Sequence, residues 1–215
     1  SWPGLMQIVE KHPNLWGSVG VHPDEEDTPD PDVDELARLA DHPKVVAIGE
    51  TGLDYYRLKE PLDWQRERFR RHIGAARQAG LPLIIHTRNS AADTVRILAE
   101  EGAEEVGGVM HCFTETWEIA RAAMDLGFHI SISGIVTFKN APIVQDVAAR
   151  VPLDRLLIET DSPYLAPVPY RGKLNDPSKV MYVAEKIADL KGLTASEIGE
   201  ATTNNFFKLF SKIER

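Results

Sequence analysis

Four side chains that can bind metal ions follow four different apolar segments of the chain, each at the segment's carboxyl end. Two are imidazoles and two are carboxylates, a plausible ligand set for one or two divalent cations. Such an ion can lower the pKa of a bound water to about 7 and so supply hydroxide at neutral pH. The four residues are Glu50, His86, His111 and Asp161.

Each of these residues also has an ordinary structural explanation. A single histidine at a strand end is more often a hydrogen-bonded structural residue than a ligand, and a carboxylate such as Asp161 can cap the following helix. Four polar residues at four strand ends are much harder to explain in that way. The other histidines outside motifs lack this setting, and we assign no role to His12, His42, His72 or His129.

The elements that must position these residues are short β-branched segments alternating with longer helical ones. Most of the short segments are nearly unbroken apolar runs, as expected for parallel strands that helices cover. In a parallel barrel the carboxyl ends of all strands lie on one face, so we expect the four candidate ligands to converge on one pocket. The predicted strands are Trp16–Val21, Val45–Gly49, Pro82–His86, Gly108–His111, His129–Ser133 and Arg155–Glu159.

Several of the intervening helices have recognisable ends. Gly80 and Gly192 are predicted to terminate two of them, because glycine readily adopts the left-handed conformation that ends a helix. Thr194 and Glu197 have the spacing of a capping box at the start of a late helix. We predict a separate final helix over Asn204–Ile213.

Composition narrows the class of protein. The 215 residues, 43% hydrophobic and 27% charged, suit one globular barrel domain over 1–215. No apolar run approaches the ~20 residues that cross a bilayer, and the single cysteine, Cys112, fits a reducing compartment. We therefore expect a cytoplasmic protein, monomeric and without membrane association. The net charge of −9 disfavours extensive binding to a nucleic acid backbone but allows an enzyme that grips one phosphate.

Basic and aromatic residues in the predicted loops suit a phosphorylated substrate. Arg88 and Arg171 follow strands that carry candidate ligands, and a planar guanidinium pairs well with phosphate. Tyr55 and its neighbour Tyr56 could stack on a base or pack beneath the loop. We predict Arg88, Arg171 and Tyr55 as substrate-binding residues. The remaining basic residues of these loops are Arg57, Lys59 and Lys173.

Six short segments resemble, in order and spacing, the signature motifs of the TatD-like deoxyribonuclease family. Residues 49–56 read GETGLDYY, residues 83–88 read LIIHTR, and residues 110–113 read MHCF. Residues 159–165 read ETDSPYL, residues 171–177 read RGKLNDP, and residues 19–23 read VGVHP. Any one of these motifs alone would be a weak indication, but together they are a specific one.

The resemblance implies a TIM-type (β/α) barrel with two divalent metal ions, magnesium or alternatively zinc or manganese. It implies that Glu50 is a carboxylate shared between the two ions and that His86 and His111 are ligands of one. Asp161 would be a ligand and proton acceptor, so Glu50 and Asp161 are the expected catalytic residues. His22 would lie beside the substrate, which by resemblance is DNA or another nucleic acid, cleaved at phosphodiester bonds, commonly from a 3′ end.

One departure from the family concerns the beginning of the barrel. The family opens with a strand carrying a His-x-His pair that binds the first metal, and this sequence does not contain it. About six strands are predicted where a barrel has eight, so we expect an N-terminally truncated, open barrel with unpaired edges. Asp24 also stands where family members often have a second histidine.

Two other functions remain open at this point. The same barrel and metals could hydrolyse another ester or amide, for example the ester that joins a D-amino acid to tRNA. Related amidohydrolases usually bridge their metals with a lysine, so the glutamate in residues 49–54, GETGLD, favours the nuclease. Alternatively, without the His-x-His strand, the chain is a catalytically impaired or binding form.

Overall fold

The computed structural model describes residues 2–56 and 62–214, so Arg57 and Lys59 lie outside the described residues. Six strands form one sheet in the order β1 to β6, which confirms the predicted parallel α/β fold. The strands are β1 Gly17–Val19, β2 Val45–Asp54, β3 Leu83–Arg88, β4 Gly108–Met110, β5 Phe128–Ile132 and β6 Leu156–Ile158.

Helices connect these strands. The α-helices are α1 Trp2–Lys11, α2 Val33–Ala40, α3 Asp63–Ala79, α4 Ala91–Glu100, α5 Trp117–Asp125, α6 Pro142–Arg150, α7 Val180–Lys191 and α8 Ala195–Leu209. Short 3₁₀ helices cover Ala103–Glu105, Gly134–Thr137, Leu153–Arg155 and Pro177–Lys179. Within the described part of the chain, no helix combines the length and the apolarity that crossing a bilayer requires.

The predicted helix ends are confirmed, with one exception. Gly80 and Gly192 end α3 and α7 with left-handed φ angles of 64° and 67°. Thr194 and Glu197 form the capping box, since each backbone N–H bonds the other's side chain, at 2.8 and 3.2 Å. The separate helix over 204–213 is wrong, because α8 continues to residue 209. Asn205 stays helical because its amide donates to two backbone carbonyl oxygens outside the helix, at 2.7 and 2.8 Å.

The chain folds into two compact units. Unit 1 comprises Ser1–Val109 and Leu209–Arg215, and unit 2 comprises Met110–Lys208. In unit 1, Phe69, Ile73 and Ala76 form a fully buried stripe on α3, at the spacing of one helix face. That a single domain spans residues 1–215 stays a prediction.

Two lysines of unit 1 hold loop backbone in place by donating hydrogen bonds to carbonyl oxygens. The Lys44 ammonium donates to three carbonyl oxygens of the α1–β1 connection, at 2.8 to 3.0 Å. The Lys212 ammonium donates to the carbonyl oxygens of Ala40, His42 and Val45, at 2.8, 3.3 and 3.0 Å. The C-terminal residues of the chain are thereby fastened to the connection between α2 and β2.

Unit 2 has its own core. Phe128, Ile130 and Ile132 of β5 are fully buried, and so are Val147 of α6 and Ile187 of α7. Among the described residues, β1 and β6 each pair with one neighbour, so the sheet is not closed.

Candidate metal-binding clusters

Two strands of unit 1 extend further than predicted, and this positions two of the candidate ligands. β2 continues to Asp54 and β3 to Arg88, so the predicted strand ends at Gly49 and His86 are wrong. The strands extend because β2 and β3 stay paired beyond the predicted ends, with Gly52 opposite His86 and Asp54 opposite Arg88. The register shifts between Ile48 and Thr51, and such an irregularity re-aims the intervening side chain, Glu50.

Close backbone contacts explain the glycines of this region. A Cβ at residue 52, where φ is +139°, would lie 2.0 Å from the His86 carbonyl oxygen. A Cβ on Gly20 would lie 2.9 Å from the Gly49 Cα. Glycine therefore allows β2 to approach both β3 and the segment that leads to His22.

The first cluster consists of His22, Glu50 and His86, all in unit 1. Glu50 Oε1 lies 3.0 Å from His86 Nδ1 and 3.4 Å from His22 Nε2. The two imidazole nitrogens lie 3.3 Å apart. The three side chains are 19 to 31% exposed, so a small ion can reach them.

These distances fit the ligand atoms of one cation. Ligand atoms about 2.1 Å from an ion lie about 3.0 Å apart at a right angle and about 3.4 Å apart at a tetrahedral angle. Two imidazole nitrogens and a carboxylate oxygen are also a donor set that divalent transition metals prefer. The structure thus groups predicted ligands Glu50 and His86 with His22, which was predicted to contact substrate.

A second carboxylate stands behind each imidazole of the first cluster. His86 Nε2 donates to Asp54 Oδ2 at 3.0 Å, and His22 Nδ1 contacts Asp24 Oδ1. These contacts direct the opposite ring nitrogens toward Glu50, an arrangement that commonly orients metal-binding histidines. Burial opposes a charged His22, but the carboxylates of Glu50 and Asp24 outweigh it and raise the pKa of His22.

A fully buried histidine supports the segment before His22. His72 Nδ1 donates to the Arg68 carbonyl oxygen at 2.8 Å, and His72 Nε2 accepts the Val21 N–H at 2.9 Å. Burial lowers the pKa of His72 to about 4, so the ring is neutral at pH 7. Sequence reasoning assigned His72 no role, whereas the structure shows that it anchors the residue preceding His22.

The second cluster consists of His111, Glu159 and Asp161, all in unit 2. The Glu159 carboxylate oxygens lie 2.9 and 3.0 Å from His111 Nδ1. Asp161 Oδ1 lies 3.4 Å from the other ring nitrogen, Nε2. Glu159 thus contacts Nδ1 of the imidazole and Asp161 contacts Nε2, while one ligand atom from each of the three residues lies within 4.8 Å of the other two.

Glu159 accepts a hydrogen bond from the backbone of Cys112 as well as contacting the His111 imidazole. Its Oε2 accepts the Cys112 N–H at 3.1 Å. Burial tends to raise the pKa of Glu159, but hydrogen bonds from His111, Ser131 and the Cys112 backbone outweigh it and hold the pKa below its usual range. Cys112 and Asp161 have φ angles of 44° and 47°, and such unusual backbone conformations cluster at functional sites.

The predicted substrate-binding residues have different surroundings. The Tyr55 hydroxyl donates to Asp93 at 2.7 Å and accepts from Arg66 at 2.9 Å. The Arg88 guanidinium carbon lies 3.8 Å from the ring centroid of Tyr56, and that of Arg171 lies 4.2 Å from Phe138. The substrate roles of Tyr55, Arg88 and Arg171 stay predictions, as does convergence of all four candidate ligands on one pocket.

A parallel α/β sheet with histidine–carboxylate clusters on its strands and just after them is typical of metal-dependent hydrolases. The family model described as TatD related DNase matches residues 1–211. The chain belongs to this family, which confirms the resemblance of its motifs.

Individual relatives support this assignment. The chain is 52% identical over 206 residues to an uncharacterized metal-dependent hydrolase, YcfH, of Escherichia coli strain K12, covering 96% of this chain and 77% of YcfH. It is 32% identical over 212 residues to a 3′-5′ ssDNA/RNA exonuclease, TatD, of a Rahnella species, covering 95% and 81% of the two chains. The crystal structure of YJJV, a TatD homologue from E. coli, matches with a TM-score of 0.90 at 28% identity, covering 97% of this chain and 82% of that chain.

Proposed function

We propose that this metal-dependent hydrolase cleaves phosphodiester bonds in single-stranded DNA from the 3′ end. The observation that carries the proposal is the pair of histidine–carboxylate clusters, each with a carboxylate oriented behind an imidazole. Two divalent ions, magnesium or alternatively zinc or manganese, are the proposed cofactors. The name of the Rahnella relative, a 3′-5′ exonuclease acting on single-stranded DNA and RNA, supports this substrate class.

The proposed ligands are the side chains whose ligand atoms face one another. His22, Glu50 and His86 would hold one ion through Nε2, Oε1 and Nδ1. A divalent ion bound in such a cluster lowers the pKa of water and polarises a phosphate oxygen. Asp54 and Asp24 keep the two imidazoles oriented.

The second cluster supplies the proposed proton acceptor. Asp161 is the more accessible of its carboxylates, 29% exposed against 18% for Glu159. Glu159 is engaged with His111 and with the Cys112 backbone, so it orients the imidazole. We propose that the Asp161 carboxylate takes the proton of the attacking water and that Arg171 and Arg88 bind phosphate oxygens.

The decisive test uses a single-stranded DNA oligonucleotide labelled at the 5′ end, with Mg²⁺, Mn²⁺ or Zn²⁺ and with a chelator. We expect stepwise shortening from the 3′ end that the chelator abolishes. Asp161→Asn and His86→Ala should each lower the rate about a thousandfold, as expected for losing a proton acceptor or a ligand.

The control is His42→Ala, because His42 pairs with Glu10 at 3.2 Å on the surface and belongs to neither cluster. This variant should cleave at the wild-type rate. Cleavage that survives both chelation and Asp161→Asn would contradict the proposal. Hydrolysis of a D-aminoacyl ester of tRNA, with no cleavage of DNA, would show that the protein is an esterase of that kind and not a nuclease.

A further inference from the structure

An exposed tyrosine lies beside the first cluster with an arginine stacked on it. Tyr56 is 61% exposed, unusual for so large an aromatic side chain. The Arg88 guanidinium carbon lies 3.8 Å from the centre of its ring, so the guanidinium covers one face. With the guanidinium over one face, the remaining exposed surface of the ring includes its other face.

The two side chains are held by the adjoining ends of β2 and β3. The Tyr55 N–H donates to the Arg88 carbonyl oxygen at 2.9 Å, and Asp54 pairs with Arg88 in the ladder. The Tyr56 N–H donates to Asp54 Oδ1 at 2.9 Å. The pair is consequently positioned by strand pairing and by a buried carboxylate.

Asp54 joins this pair directly to the first cluster. Its side chain is only 2% exposed, and its other oxygen, Oδ2, accepts from His86 Nε2 at 3.0 Å. One carboxylate thus orients a proposed metal ligand and holds the backbone of Tyr56. A group stacked on Tyr56 would lie next to a substrate phosphate held at the first cluster.

The neighbouring tyrosine does not offer the same surface. The Tyr55 hydroxyl is bonded to Asp93 and Arg66, and the Arg66 guanidinium carbon lies 5.3 Å from its ring centre. Tyr55 therefore packs on α3 and α4, whereas Tyr56 presents its ring outward. An aromatic face backed by a cation stacks on any nucleobase, because every base has a π face.

We propose that Tyr56, backed by Arg88, is a stacking platform for an unpaired nucleobase next to the scissile bond. This inference rests on the proposed nuclease function and narrows its substrate to strands whose terminal bases are unstacked. In a duplex only the outer face of a terminal base pair is exposed, and every other base must leave the stack to present a face to the ring. The platform therefore selects single-stranded ends over blunt duplex ends.

The test compares oligonucleotides carrying a normal or an abasic residue at the terminal or penultimate 3′ position. For the wild type, the abasic residue should raise KM about tenfold at one of these positions. Tyr56→Ala should remove this preference for a base, while Tyr56→Phe and Tyr56→Trp should keep it. The matched control is Trp16→Ala, because Trp16 also lies beneath a cation, Lys44 at 4.7 Å, but precedes β1.

Binding is measured separately with 2-aminopurine at the same positions and a chelator present. The wild type should quench the fluorescence of this base more strongly than Tyr56→Ala at equal saturation, because stacking on the ring quenches it. An unchanged base preference and unchanged quenching in Tyr56→Ala would overturn the platform and leave the nuclease intact. If quenching depends on Tyr56 but no DNA is hydrolysed, the proposed nuclease function is wrong while the stacking of a base on Tyr56 stands.

Discussion

The two clusters contain the same kinds of residue but arrange them differently. In the first cluster, His22, Glu50 and His86 present three ligand atoms to one another at 3.0 to 3.4 Å. In the second cluster there is one imidazole, and Glu159 is already engaged with its Nδ1 and with the Cys112 N–H, while Asp161 Oδ1 lies 3.4 Å from Nε2. We infer that unit 1 can hold an ion with its own side chains more tightly than unit 2 can.

The difference shows that membership of a histidine–carboxylate cluster does not define a residue's role. Glu50 and Glu159 both contact an imidazole at about 3 Å, at 3.0 and 2.9 Å. Glu50 shares the contact with a second imidazole, while Glu159 also accepts a backbone N–H and is the more buried of the two. The first can bind an ion directly, and the second is suited to orient a ligand.

The largest expected effect comes from the backbone beneath the first cluster. In Gly52→Ala, the new Cβ would lie 2.0 Å from the His86 carbonyl oxygen, so the two strands must separate. We expect a loss of about 4 kcal/mol or more of unfolding free energy, together with loss of metal binding at the first cluster. Urea denaturation and Zn²⁺ titration measure both.

The control for this prediction is Gly74→Ala in the same unit. Its Cβ would lie 3.5 Å from a Val33 methyl, an ordinary contact, within α3. Alanine is the better helix former, so stability should stay the same or rise by up to about 1 kcal/mol. If the two variants are equally stable, the close approach of β2 to β3 does not constrain the first cluster.

The second prediction concerns pH and the support of His22. Burial holds the pKa of His72 at about 4, against 6.5 for the unburied group. Below pH 6.5, His72 becomes protonated in the unfolded chain but stays neutral in the folded protein. The unfolding free energy therefore falls as the pH drops toward 4. The loss should reach about 3 kcal/mol.

His72→Gln isolates this effect because glutamine does not titrate. Unfolding free energies measured in urea between pH 7 and pH 4 should fall less steeply for His72→Gln than for the wild type. The difference in slope should be confined to the interval below pH 6.5. Parallel curves would show that His72 has the same pKa in the folded and unfolded protein, so that the fold does not hold it as a neutral acceptor of the Val21 N–H.

The third prediction compares the two orienting carboxylates. Asp54→Asn and Glu159→Gln should each weaken metal binding at their own cluster about 10- to 100-fold. We expect the larger change for Glu159→Gln, because the second cluster has one imidazole and the first has two. Mn²⁺ binding followed by electron paramagnetic resonance reports both affinities.

An exposed carboxylate provides the control for the charge change alone. Asp146 pairs with Arg150 on the surface of α6 at 3.1 Å, and Asp146→Asn should leave metal affinity unchanged. If Asp54→Asn and Glu159→Gln behave like Asp146→Asn, neither carboxylate orients a metal-binding imidazole.

The smallest expected effect distinguishes the helix caps of the two units. Asp32 of unit 1 accepts the Glu35 N–H at 2.7 Å. The Thr194 hydroxyl of unit 2 accepts the Glu197 N–H at 3.2 Å and donates to the Glu197 carboxylate at 2.8 Å. Asp32→Ala and Thr194→Ala should each cost about 1 kcal/mol, with the larger loss at Thr194, where two bonds are affected. Amide exchange in the first turns of α2 and α8 measures each loss, and unchanged protection would show that the caps do not stabilise these helices.

Much of the fold was predictable because the strands are continuous apolar segments and the helices have strong local end signals. All six predicted strands exist, and Gly80 and Gly192 end helices as expected. The break predicted before Asn204 is absent, because α8 runs through this position and the side chain of the next residue, Asn205, bonds carbonyl oxygens distant in sequence. Local propensity cannot register such a tertiary contact.

The candidate site was predictable in part. Residues of the ligating types at strand ends pointed to Glu50, His86, His111 and Asp161, but not to the supporting carboxylates. A usable signal existed for Asp54, which follows Glu50 by four residues within β2, an even spacing along a strand, whereas Glu159 and Asp161 both follow β6. His72 gave no such signal, because its role depends on burial in α3 and on contact with Val21.

The fastening of Lys212 to the carbonyl oxygens of Ala40, His42 and Val45 has a consequence for the order of folding. Unit 2 is one continuous stretch of chain, whereas unit 1 combines two separate stretches, Ser1–Val109 and Leu209–Arg215. During synthesis, unit 2 can complete its core as soon as Lys208 has emerged. Unit 1, which carries the first cluster, can form these hydrogen bonds of the α2–β2 connection only after Lys212 has emerged as well.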